Sequence, residues 1–130
     1  MNSSCNGIRL IGLATRPLSI ESWAAAPITN VVIRNANIEF TGGGKADQAK
    51  QPVKGPGVDA RPLPSWGVYA RNVQQLTLED VRLSLAKEDF RPAVMTENVG
   101  RLNLENFKYT RVPGVEQAVV TNSLGKLNIR

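Results

Sequence analysis

Any chemistry done by this 130-residue chain is done without imidazole, because the sequence contains no histidine. That removes Ser-His-Asp triads and histidine zinc sites. What remains is a set of carboxylates, one cysteine and the arginines. Cys5 is the single cysteine, so no internal disulfide forms. No imidazole base stands ready to activate its thiol, and it reads as an ordinary packed or surface residue. Carboxylates are adjacent twice, Glu79 with Asp80 and Glu88 with Asp89. Neighbours on a strand point to opposite faces, so neither pair converges on one bond. Asp80 suits a backbone corner, and Glu88 and Asp89 read as a solvated turn. The run "TGGGKADQ" has the glycines of a phosphate loop but not the spaced Gly and the Lys-Ser/Thr ending. No spacing calls for a metal or a cofactor, and none is expected.

Charge narrows the partners. Sixteen Lys and Arg against eleven Asp and Glu give a formal charge of +5, which suits a nucleic acid, an acidic polysaccharide or a membrane surface. The arginines are scattered and only two aromatics fall near any of them, so a nucleic-acid surface is not expected. A solvated basic face is the simpler reading. No apolar run approaches the roughly 18 residues of a membrane span. The opening "MNSSCNGIRL" lacks the basic start and apolar stretch of a secretory signal.

The elements that would position these groups show themselves as repeats. "QQLTLEDV" aligns with "GRLNLENF" and "GKLNIR", placing Leu76 and Leu78 above Leu102 and Leu104, and those above Leu127 and Ile129. "TNVVIRNA" joins the register through Val31 and Ile33 if residues 41–65 are an insertion. A second column lies upstream, with Val68, Val94 and Val119, and Ile8 of "GIRLIGL" fits it. A third follows each Leu-x-Leu segment, with Ile38 and Phe40, Leu83 and Leu85, Phe107 and Tyr109.

Apolar and polar residues alternate within each column, as in a strand with one buried face. Between columns stand Asn35, Asp80 and Asn106, and also Asn72 and Asn98. Such side chains tolerate the left-handed backbone of a tight corner. The pattern predicts an all-β, right-handed parallel β-helix of about four to five coils in one domain spanning residues 1–130, with loop insertions at about 11–27 and 41–65. Ile8, Leu10, Val31, Ile33, Val68, Leu76, Leu78, Val94, Leu102, Leu104, Val119, Leu127 and Ile129 are expected in the core. Arg9, Tyr69, Met95 and Val120 would point outward from the first column and line any groove along it.

The runs "GIRLIGL", "PITNVVIRNANIEFTGGG", "PSWGVYARNVQQLTLEDVRLSL" and "DFRPAVMTENVGRLNLENF" resemble the C-terminal coils of pectin-lyase-like β-helices. The resemblance is to bacterial glycoside hydrolase family 28 proteins related to polygalacturonases, and it covers almost the whole chain. It implies inverting hydrolysis of galacturonic-acid-rich glycans, in which one carboxylic acid protonates the leaving oxygen and a second carboxylate activates water. The family's Asn-Thr-Asp, Asp-Asp, Gly-His-Gly and Arg-Ile-Lys motifs do not occur here. They lie in coils N-terminal to those matched, so no catalytic residue carries over.

The resemblance therefore implies a non-catalytic, C-terminal part of a polysaccharide hydrolase that supports or extends the substrate groove. The alternative is a self-standing β-helix used for binding or assembly. With the 41–65 loop overhanging such a groove, Trp66, Tyr69, Arg71 and Arg9 are the candidate sugar contacts: an aromatic face stacks on a sugar ring, and a guanidinium pairs with a uronate. The simpler reading has Trp66 and Tyr69 cover the loop's return, and Trp23 either packs on the surface or adds a second platform. No cap helix precedes Gly7, and the last column reaches Arg130. Missing coils, another copy or a partner would then cover the open ends. Members of the family are usually exported.

Overall fold

The computed structural model describes residues 2–6, 12–53, 55 and 62–130. It is a mainly β structure built on one sheet of parallel strands. The strands are β1 (Asn2–Asn6), β2 (Leu18–Glu21), β3 (Ile28–Phe40), β4 (Val68–Leu85), β5 (Val94–Glu105), β6 (Lys108–Tyr109) and β7 (Val119–Ile129). Their order is β1-β3-β4-β5-β7, with β2 and β6 also pairing with β4. Among the described residues the only helix is one short 3-10 segment, Ala46–Lys50.

The long strands are not straight. Asn35, Asn72, Asp80, Asn98, Asn106 and Ser123 all have φ between 49° and 57°. Asn and Asp enter this left-handed region more readily than other non-glycine residues, because a short polar side chain bonds nearby main chain. Here the corners also bond to each other from strand to strand. Asn98 Nδ2 donates to Asn72 Oδ1 at 3.0 Å, and Asn106 Nδ2 donates to Asp80 Oδ1 at 2.8 Å. Each corner thus fixes its neighbour, and register follows.

That register matches the repeat in the sequence. Val31 pairs with Leu76 and Ile33 with Leu78; Leu76 pairs with Leu102 and Leu78 with Leu104; these pair with Leu127 and Ile129. In the third column Ile38 pairs with Leu83 and Leu83 with Tyr109. The core is the stack of these inward side chains, including Val68, Val73, Val81, Val94 and Val99. Close approach between strands also selects a residue type. A Cβ on Gly100 would lie 2.6 Å from the Gln74 carbonyl oxygen, and one on Gly125 2.3 Å from that of Gly100. Only glycine fits beneath those carbonyls.

Several expectations are corrected. The insertion expected at 11–27 contains strand β2, whose Leu18 pairs with Val68 and Ile20 with Ala70. The place beside Val68 in the first column is therefore filled by Leu18. Four residues behind Pro17 are too few for alternation to stand out. Strand β1 is formed by "NSSCN", which has no apolar alternation at all, and pairs with Asn30–Arg34. Ile8, Arg9 and Leu10 lie outside the described residues. Leu127 and Ile129 are not core: they are 42% and 69% exposed, because among the described residues β7 pairs only with β5.

Tyr69 and Met95, expected to line an open groove, are buried in a second cluster with Leu63. Val53 and Val120 pack against it. The segment between β3 and β4 folds back over these outward faces, so this part of the column is covered. Asp89, expected in a solvated turn, is fully buried. Its carboxylate takes Arg91 in a fork, from Nε at 2.9 Å and Nη2 at 2.7 Å, and accepts the Arg91 backbone N–H at 3.0 Å. Arg91 Nη1 then donates to the Leu63 carbonyl at 3.2 Å. Gly44 passes so close that a Cβ there would sit 2.5 Å from Asp89 Oδ1 and 2.2 Å from Arg91 Nε. The turn after β4 is a clamp on the loop.

Candidate functional site

The position beside Tyr69 is where unlike functional groups meet. Glu21, Arg71, Glu97 and Asn122 occupy one line across β2, β4, β5 and β7. Strand alternation turns these side chains outward while Ile20, Ala70 and Thr96 turn inward. Arg71 Nη1 donates to Glu97 Oε2 at 2.8 Å, and the Tyr69 hydroxyl donates to the same oxygen. Both partners of the ion pair are partly exposed, at 34% and 29%. Burial, and then the bond to Glu97, push the Tyr69 phenol up from its ordinary value. It stays a neutral donor at any physiological pH.

Trp23 closes the arrangement. The Arg71 guanidinium lies over its ring, 3.9 Å from the centroid, a cation–π contact made favourable by the negative face of the indole. The bend holding Trp23 is fixed in several ways. Its indole N–H donates to Glu21 Oε1 at 2.9 Å, Ser22 Oγ donates to the Ala26 carbonyl at 2.8 Å, and Asn72 Nδ2 donates to the Ala24 carbonyl at 3.1 Å. Trp23 is 37% exposed. It therefore stands as a wall, not a core residue.

Between this wall and the corner ladder lies an open groove of about 470 Å³, within the roughly 300–1,000 Å³ of small-molecule sites. Asn98, Asn122 and Ser123 form its other side. Among the described residues, nothing bonds the Asn122 amide or the Ser123 hydroxyl, and Asn98 Oδ1 has no donor. Such groups suit a ligand rich in hydroxyls. Arg71 and Glu97 are its charged lining residues. Glu97 is held by two donors, the Arg71 guanidinium and the Tyr69 hydroxyl. The arrangement can bind and orient a ligand.

Of the residues singled out from sequence, the structure brings Arg71 and Tyr69 together, with Tyr69 acting from beneath through Glu97. Trp66 lies elsewhere. It is buried, its ring edge-on to Phe40 with centroids 5.6 Å apart, which leaves no face for a sugar. Sequence reasoning missed Glu97, Asn122 and Ser123. The signal was available: Glu97 stands one 26-residue repeat after Arg71 in the register already found, so an opposite charge was stacked on it. No protein-family model, curated protein or solved structure matches this chain.

Proposed function

We propose that this chain is a stretch of a right-handed parallel β-helix of the polygalacturonase-related type. It contributes non-catalytic coils that support or extend the glycan groove of a polysaccharide hydrolase acting on pectin-like, galacturonic-acid-rich chains. The β-helix reading is supported by parallel strands 25 and 26 residues apart in sequence, with left-handed corners in line from strand to strand. The glycan reading is carried by one observation, the groove in which Trp23 and Arg71 face a row of neutral amide and hydroxyl groups.

The test follows from the two tryptophans. Trp66 is buried and Trp23 is not, so a ligand in the groove changes the fluorescence of Trp23. Titration with pectin-derived oligosaccharides is expected to give a saturable change that disappears in Trp23→Ala, with no release of reducing sugar. Absence of binding at millimolar glycan overturns the glycan reading, and turnover by the chain alone overturns its non-catalytic part.

A second reading, assembly, is favoured by the apolar edge at β7. Leu127 and Ile129 are exposed, and β1 and β7 are opposite outer strands of the sheet path. A second copy seated β1 against β7 would continue the parallel ladder, and such a head-to-tail contact repeats without closing. Light scattering at tens of micromolar is expected to show species larger than one chain; a clean monomer removes this reading.

A further inference from the structure

We propose that Glu97 sets which sugars this groove accepts: by holding Arg71 it selects uncharged residues, methyl-esterified galacturonate among them, over free uronate. The inference rests on the glycan-binding reading above and specifies its ligand.

Among the described residues Arg71 is the one cation lining the groove, and Glu97 the one anion. A uronate carboxylate normally seeks a guanidinium fork. Here the guanidinium is engaged twice, edge to Glu97 at 2.8 Å and face to Trp23 at 3.9 Å. An incoming carboxylate would have to displace Glu97 or sit beside it. Displacement is opposed by Tyr69, whose hydroxyl, carried on a fully buried ring, anchors the same Glu97 oxygen. Sitting beside it sets two like charges side by side at one guanidinium. The groups that remain without a partner among the described residues, the Asn122 amide and the Ser123 hydroxyl, are neutral. They bond hydroxyls and ester carbonyls without asking for charge.

The experiment compares one oligogalacturonate in two forms, free acid and fully methyl-esterified, by calorimetry on the full chain at neutral pH. The ester is expected to bind at least about fivefold tighter, the scale of one like-charge contact in a wet groove. In about 1 M salt, where screening acts within about 3 Å, the preference shrinks towards unity. Glu97→Gln keeps an oxygen for Tyr69 and Arg71 but removes the charge, and is expected to erase or invert the preference. Free acid binding as tightly as ester, a preference indifferent to salt, or a folded Glu97→Gln chain with an unchanged ratio each overturns the assignment. The salt comparison needs no variant, so it decides the matter even if Glu97→Gln fails to fold. If neither form binds, the glycan reading itself fails, and the specificity assigned to Glu97 fails with it.

Discussion

Asp89→Ala is expected to lower the free energy of unfolding by about 3 to 5 kcal/mol, the range for breaking a buried ion pair from one side. Denaturant unfolding of both chains measures it. The variant strands a guanidinium that is largely buried against the loop: Arg91 loses its bidentate partner at 2.7 and 2.9 Å. It also frees the Arg91 backbone N–H. Burial alone would push the Asp89 carboxyl up, but the Arg91 side chain, the Arg91 backbone and the Gly44 backbone outweigh it and hold it below its ordinary value. A group lowered in the folded state stabilises fully above its unfolded value of about 3.9, and that stability is lost as pH falls through the folded value. The gap between wild type and Asp89→Ala should therefore be constant near neutrality, begin to close near pH 4, and close further below it. A gap that grew on acidification would contradict the clamp. The effect reaches the groove as well, since Arg91 holds Leu63, Leu63 covers Tyr69, and Tyr69 fixes Glu97.

That chain of dependence marks where the sequence was legible and where it was not. The corners could be read because their cause is local: Asn72, Asn98, Asp80 and Asn106 are residue types that tolerate a left-handed backbone, and each recurs at a fixed spacing. The ladder from Ile33 through Leu78 to Leu104 could be read because alternation writes the buried face directly into the sequence. Alternation is silent about what lies outside the sheet. Tyr69 and Met95 do point outward, as their positions in the strands require, yet Leu63, from the segment that leads into β4, folds back to cover them. Asp89 looks like a turn residue in every local respect, and only the return of the loop past Gly44 encloses it. Strand β1 shows the complementary failure. Its residues carry no strand pattern, and pairing with β3 alone makes them one. The groove was half visible, Arg71 by type and Glu97 only through the repeat.

Leu78→Ala is expected to cost about 2 to 5 kcal/mol, the range for a truncated core leucine, with the upper part favoured where the surroundings cannot collapse. Leu78 is fully buried and lies between Ile33 on one strand and Leu104 on the other. Both neighbours are fixed by ladders of their own, so the space left by three carbons stays empty. Ile129 belongs to the same column, pairing with Leu104, but it is 69% exposed. Ile129→Ala should change unfolding by about 0.5 kcal/mol or less when the chain is dilute, as for surface sites in general. The two substitutions remove similar amounts of hydrocarbon from one column, and the difference between them measures what a covering strand adds. The same pair separates stability from assembly. If a second copy docks on β7, Ile129 becomes the covered residue, and Ile129→Ala weakens association at tens of micromolar while leaving dilute unfolding unchanged. Leu78→Ala should do the reverse, lowering stability at every concentration, because its neighbours lie within the chain.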